Sequence, residues 1–456
     1  LSADGILIPN LHKALLVVRN SHDYSNNAKS DRMNNINDLN LQTEILPLFD
    51  YTLNDFAKET LYQIFQEPLS TLADIEKRQE IFKGFIANAE IFTNYSYSRL
   101  DFHEVYNFLN DTSYQKIIQA SKMRLLFLEN ERHQTRARFI QFILLFHKLH
   151  FTYLKRINVS SFPDDYKKEL VSLDNFVTSL NLRYYDELVR EGKFKIKHLL
   201  EIAKIITGKK LKGEFDVFYK MFFQFEAYIS ISKCIIKYHF CFPSFSKFHL
   251  LFENVYHPLI KNPVKNSFTI DKNVILLTGP NMSGKSTLLK SIGLCIHLAL
   301  LGVAVPAKKM ELPFFERVSI SINHNDDISN GYSQFMNEII RLKQVVVDAS
   351  ENKSCFAIFD ELFKGTSIDD AVQISSTTIK GLTKFKKSFF FISSHLHQIK
   401  QIEEVQRKEV ETYYVDCVIE NSTPLFNYQV KEGWSDLKVG QLLFENVGLN
   451  DLLDAS

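Results

Sequence analysis

Nine consecutive residues, Gly279, Pro280, Asn281, Met282, Ser283, Gly284, Lys285, Ser286 and Thr287, carry a spacing suited to holding phosphate. They read G-x-x-x-x-G-K-S followed by Thr. Gly279 and Gly284 let backbone N–H groups curl round phosphate oxygens, and a following helix adds the positive end of its dipole. Lys285 can reach the β- and γ-phosphates, and the Ser286 hydroxyl can hold Mg²⁺. The flanks decide between this and an ordinary Gly-rich turn. Val274, Ile275, Leu276 and Leu277 read as a buried strand before the loop; Leu288, Leu289, Ile292, Leu294, Cys295 and Leu298 repeat as one helix does after it. Strand, loop, helix is the context of a nucleotide site.

A second stretch ends an apolar run, 355–359, on Asp360 and Glu361. In phosphoryl-transfer ATPases such an Asp anchors Mg²⁺ and the adjacent Glu orients the attacking water. Alone, the pair reads as readily as a solvated acidic turn; beside the phosphate loop it reads as catalytic. A third run, 389–393, ends on Ser394 and His395. Ligands of parallel sheets sit at the carboxyl ends of strands, so His395 is placed to meet the γ-phosphate or the water. The segment 326–338 opens a helix over 334–348, and its Gly331 and Ser333 alone would be a loop and an N-cap.

These residues need elements to position them. Residues 11–18 form a short apolar patch, and 21–40, rich in Asn, Ser and Asp, read as a linker or disordered segment. From about residue 41 the texture is long helical periodicity, with long helices expected at 115–156, 167–208 and 214–238. The run 139–154 is apolar nearly all round, which predicts a central buried helix. His103, His133, His147 and His150 lie at helical spacing without a ligand constellation, so packing is their better explanation. The lysine tracts 193–197 and 204–212 suit phosphate contact or a solvated basic face equally. Phe242 and Pro243 break the helical pattern. After 246, short apolar strands near 274–278, 317–322, 354–359, 388–393, 411–419 and 426–430 alternate with helices, predicting a mostly parallel α/β sheet. The expected fold is multidomain, α and α/β: a tail or linker at 1–40, an all-helical domain at 41–245 and a P-loop α/β domain at 246–456.

Composition sets outer bounds. The 456 residues are 45% apolar with net charge +1, globular in character and too long for one ordinary domain; the charge excludes no partner class. Five scattered cysteines, never in a C-x-x-C pair, read as reduced thiols in a cytoplasmic protein rather than a metal or disulfide framework. No signal peptide is visible, and no apolar run approaches the ~18 residues of a membrane span. Leu1 opens the chain where Met would open a complete one, so missing N-terminal domains carry little weight.

The stretch from about 250 to 445 resembles the ATPase domain of the MutS family of DNA mismatch repair proteins. The matching residues are Asn281-Met282 within the phosphate loop, the segment 326–338, Asp360-Glu361 through Gly365-Thr366-Ser367, Ser394-His395, and the closing 430–433. Pro68-Leu69 with Ile75, Arg78 and Gln79 is similar to the family's helical core, or lever, domain. The resemblance implies an ABC-type composite site in a dimer, where Ser333 of one subunit reaches the γ-phosphate bound by the other. It also implies that His257-Pro258 forms the turn before the phosphate loop and that Tyr428 stands where the family has a base-stacking ring. Tyr332 and Gln334 replace the family's usual Arg and Thr, Phe363-Lys364 stands where Gly-Arg is usual, and no adenine-stacking Phe lies near Pro263.

The family's mismatch-reading and connector domains would precede residue 41, and with no room for them there they are expected to be missing. The DNA clamp is expected to be reduced and the C-terminal helix-turn-helix absent. The implied function is ATP- and Mg²⁺-dependent control of binding to mismatched or branched double-stranded DNA by a dimer, expected to be a homodimer, with repair proteins as further partners and no membrane. The alternative is a nucleotide-gated protein-interaction module without direct mismatch recognition; a steep fall of DNA affinity with salt would favour the first.

Overall fold

The computed structural model describes residues 36–111, 129–247, 249–322, 334–363, 365–420, 423–437, 439–447, 449 and 453. The apolar patch at 11–18, Ser333 and most of the segment 326–338 lie outside them.

The first half is helical: α1 (Asp55–Gln66), α2 (Leu72–Ala87), α3 (Arg99–Asn110), α4 (Glu129–Lys148), α5 (Asp164–Thr178), α6 (Leu182–Arg190), α7 (Ile196–Leu211) and α8 (Glu214–Tyr238). Local chemistry sets several starts. Asn54 accepts the Ala57 N–H at 2.8 Å and Thr71 accepts the Asp74 N–H at 3.1 Å, satisfying amides that have no intrahelical acceptor. The single helix expected over 167–208 is three, because Asn181 (φ +52°) and Gly192 (φ +68°) turn the chain into the left-handed region. Helix α4 continues through a π-turn, Leu149–Tyr153. Its expected all-round burial is corrected: Phe139, Phe142, Ile143 and Phe146 are buried, but Leu144 is 42% exposed.

Helix α8, the longest among the described residues, runs through this half and carries a buried carboxylate. Glu226 Oε1 accepts the Leu53 N–H at 2.5 Å, while Oε2 accepts the hydroxyls of Tyr97 at 2.6 Å and Tyr95 at 3.3 Å. Burial raises its pKa above the ordinary glutamate value, partly offset by these donors.

The second half contains two sheets. Strands β1 (Ser244–Phe245), β2 (Leu250–Val255), β3 (Asn266–Ile270) and β5 (Lys309–Leu312) form one, in the order β1-β5-β2-β3. The larger holds β4 (Val274–Thr278), β6 (Arg317–Ser321), β7 (Cys355–Phe359), β8 (Phe389–Ser393), β9 (Glu411–Glu420) and β10 (Thr423–Glu432), in the order β10-β9-β4-β8-β7-β6. All its pairings are parallel except the β9–β10 hairpin. Strands β4, β7 and β8 are buried at every position, because helices cover both faces of a parallel sheet. All six expected strands are present within a few residues. The smaller sheet was not among them.

Helices α9 (Lys285–Leu300), α10 (Gln334–Ser350) and α11 (Ile368–Leu382) follow β4, β6 and β7, and a short α12 (Gly440–Asn446) follows β10. Every residue of α9 from Ser291 to Leu300 is buried. One continuous apolar cluster runs from the helical half through α9 to the sheet, while a second, with Val345, Ala371 and Ile379, covers the opposite face. The phosphate-loop helix therefore lies in a core shared by both halves.

The end of the expected linker is folded. Asn37–Leu39 make a 3-10 turn with Leu39 buried, and Asp38 Oδ2 accepts the Ile322 N–H at 2.8 Å and faces Arg341 at 3.5 Å. No described helix is long and apolar enough to cross a membrane.

Candidate nucleotide-binding site

Strands β4, β8 and β7 lie side by side, with Leu277 opposite Ser393 and Phe359 opposite Ile392. Because they run parallel, their carboxyl ends open on one edge, and the side chains that follow them meet there. Three separate stretches of sequence thus reach one place.

The loop after β4 has the backbone its glycines permit. Gly279 has φ +135° and Gly284 φ +98°. A Cβ on Gly279 would stand 3.1 Å from both Ser283 Oγ and the Val415 carbonyl, and one on Gly284 3.1 Å from Tyr428 Cδ1. Both positions need glycine for conformation and for space. Lys285 is buried, and its ammonium donates to the carbonyls of Gly279 at 2.9 Å and Pro280 at 3.0 Å. Ser283 Oγ is buried without a hydrogen-bond partner among the described residues. Helix α9 begins at Lys285 with no capping side chain, so its first-turn amides lack intrahelical acceptors. Asn281, Met282, Ser286 and Thr287 are exposed. A cradle shaped by two glycines, an unpartnered hydroxyl and uncapped amides fits a phosphate chain.

Asp360 is buried, and its Oδ1 accepts the hydroxyl proton of Ser393. The same hydroxyl oxygen accepts the Glu361 N–H at 2.9 Å. Glu361 sits at φ +54°, and its Oε1 is hydrogen-bonded to Nε2 of His395. A cavity of about 230 Å³ is lined on one side by Thr278, Gly279, Pro280 and Asn281, and on the other by Ser394, His395, Trp434 and Ser435. The structure thus brings Gly279, Pro280 and Asn281 to one cavity with His395, and ties His395 to Glu361.

The start of α10 is fixed to the same edge. The Phe363 N–H donates to Oε2 of buried Glu338 at 2.8 Å, and the rings of Phe335 and Phe363 meet edge to face at 6.2 Å. Tyr428 lies on a bulge of β10, φ +55°, with its carbonyl on Asn266 Nδ2 at 3.0 Å; its ring borders Gly284 and is 47% exposed. His257 follows β2, half-buried. Its pKa is lowered, first by burial and then by Lys290 on α9, with Glu44 opposing.

Sequence reading missed three contributors: Ser393, the contact of Glu338 with Phe363, and the rim supplied by Trp434 and Ser435. A hydroxyl ending an otherwise apolar run was the available signal for Ser393. The other two depend on long-range packing.

The family model described as MutS domain V matches residues 275–450. Proteins named DNA mismatch repair protein MutS are similar over longer stretches. That of Thermotoga maritima is 28% identical over 354 residues, 74% of this chain and 44% of that protein. That of Bacillus subtilis is 28% identical over 288 residues, 61% of this chain and 31% of that protein. The chain spans between about a third and somewhat under half of the length of these curated relatives. The Gly279–Thr287 loop and both strand-end motifs lie inside the region that matches MutS domain V, and the chain is similar to MutS proteins beyond that region as well.

Proposed function

We propose that the chain binds and hydrolyses ATP with Mg²⁺ at the edge where β4, β7 and β8 end. The observation that carries this is the convergence of the Gly279–Thr287 loop with Asp360, Glu361 and His395 at adjacent parallel strand ends. Gly279, Pro280, Asn281, Met282, Ser283, Gly284 and Thr287 would line the phosphates, with Lys285 supplying the charge. Ser286 and Asp360 would hold Mg²⁺, which when bound neutralises phosphate charge. Glu361 would orient water, and His395, bonded to it, would contact the terminal phosphate. Tyr428, beside Gly284, would stack on the base, and His257 would border it.

The wider reading is a MutS-like, ATP-controlled DNA-binding protein of mismatch repair or a related process. Its dimer would use Ser333 of one subunit to close the site of the other. Support for coupling comes from α9, whose far end is hydrogen-bonded to α2 and to the last turn of α1. Fluorescence anisotropy on matched, mismatched and four-way-junction DNA, with ADP and with a non-hydrolysable ATP analogue, tests this reading. Nucleotide-dependent affinity for one of these DNAs supports it; no binding to any, with nucleotide binding intact, contradicts the DNA part.

A further inference from the structure

We propose that Ser393 is a positioning residue for the metal-anchoring carboxylate, holding Asp360 and Glu361 in one hydrogen-bonded frame. The inference rests on the nucleotide-site reading and adds to it a residue with no assigned role. Ser393 is the last residue of β8 and is fully buried, between Leu277 of β4 and the end of β7. A hydroxyl has one proton to give. Here the Glu361 N–H occupies an acceptor lone pair, at 2.9 Å, and the proton goes to Asp360 Oδ1. That bond fixes the carboxylate's rotation and leaves Oδ2 as the oxygen it does not use.

The backbone of Asp360 is held from the opposite side, where its N–H donates to the Ser321 carbonyl at 2.8 Å. Next to it, Glu361 adopts φ +54°, a left-handed conformation that side chains disfavour. The amide bond to Ser393 helps hold that turn, and the turn carries the Glu361 carboxylate to His395, two residues beyond Ser393. One hydroxyl therefore sets the orientation of the carboxylate on Asp360 and the backbone of Glu361. Alanine would fill most of the space and supply neither bond.

The test compares wild type with Ser393→Ala and Ser393→Thr. Mn²⁺ affinity is measured by electron paramagnetic resonance with the protein saturated by a non-hydrolysable ATP analogue. Analogue affinity in EDTA and thermal melting are measured alongside. Ser393→Ala should weaken Mn²⁺ binding roughly tenfold while metal-free analogue affinity stays within about twofold, as expected for losing a hydrogen bond to a charged group. Ser393→Thr, which keeps the hydroxyl, should restore the Mn²⁺ affinity. If melting shows that the extra methyl is not accommodated, Ser393→Cys, close in size with a weak donor, should weaken Mn²⁺ binding as Ala does. Mn²⁺ affinity unchanged in Ser393→Ala overturns the proposal, as does an equal fall in metal-free analogue affinity. Failure of wild type to bind the analogue overturns the underlying site reading, and is visible before any variant is compared.

Discussion

The Arg78 guanidinium donates to the Leu301 carbonyl at 3.0 Å, tying α2 to the carboxyl end of the helix that follows the phosphate loop. A cation suits this end of a helix, where carbonyls lack intrahelical donors and the dipole is negative. The Leu69 N–H adds a bond to the Leu300 carbonyl at 3.1 Å. At Gly302, φ +70°, a Cβ would stand 3.0 Å from the Ile75 carbonyl and from Arg78 Cβ. Helix α9 therefore cannot shift along its axis without disturbing α2.

Arg78→Ala is expected to lower stability by roughly 1–3 kcal/mol, the range for a charge-assisted bond with a partner left behind. Gly302→Ala should also destabilise, through left-handed strain and the close backbone contact. Denaturant unfolding of both variants checks this; unchanged midpoints would contradict the role given to this junction.

His297 offers a pH test of the same junction. It is fully buried on α9, its Nε2 bonds to the Phe65 carbonyl at 3.0 Å, and Nδ1 has no partner among the described residues. The acceptor fixes the proton on Nε2 in the neutral ring. Burial lowers the pKa from an ordinary 6.5 to about 4. Unfolding therefore takes up a proton between those values. This contribution to stability is complete above pH 6.5 and is lost as pH falls through about 4, amounting to roughly 3 kcal/mol. Melting curves of wild type and His297→Gln across that window should converge as the pH falls. Parallel curves would contradict the buried neutral imidazole.

Glu226 should prove the most sensitive position of the helical half. Its truncation to Ala would strand the Leu53 N–H and two tyrosine hydroxyls, costing roughly 3 kcal/mol or more. Because its folded pKa is raised, the carboxyl's contribution is fullest below the ordinary glutamate value and falls as pH rises through the folded one. Relative to Glu226→Gln, wild type should therefore gain stability on mild acidification. Calorimetry at pH 7 and pH 5 reads the difference.

The site was more legible in the sequence than the helical half, for a physical reason. Residues 274–287 and 355–361 are local: a buried strand, a turn and the start of the next element are set by neighbours in sequence, so spacing alone exposes these elements. The two breaks from α5 to α7 hinge on Asn181 and Gly192, and a left-handed asparagine leaves little trace in a periodic pattern. The smaller sheet escaped because β3 and β5 are short and partly polar, and gain their burial from β2 and from packing across halves. Asp38 was read as linker because its partners, Ile322 and Arg341, lie some three hundred residues away in the chain.

Glu361→Gln separates binding from hydrolysis. The amide keeps the side chain's size and one oxygen for His395, but loses the negative charge proposed to orient and polarise water. ATP affinity should change little while turnover falls at least about a hundredfold. Single-turnover assays with labelled ATP measure both; an unaltered rate would remove Glu361 from the proposed chemistry.

The central claim is that the Gly279–Thr287 loop is a working nucleotide site. Isothermal titration of wild type and Lys285→Ala with ATP in the presence of Mg²⁺, paired with phosphate release from the same samples, tests it most directly. Saturable binding and turnover in wild type, both lost or reduced more than tenfold in Lys285→Ala, is the predicted result. Wild type that binds no nucleotide, or a variant that binds and hydrolyses as well as wild type, would contradict the account.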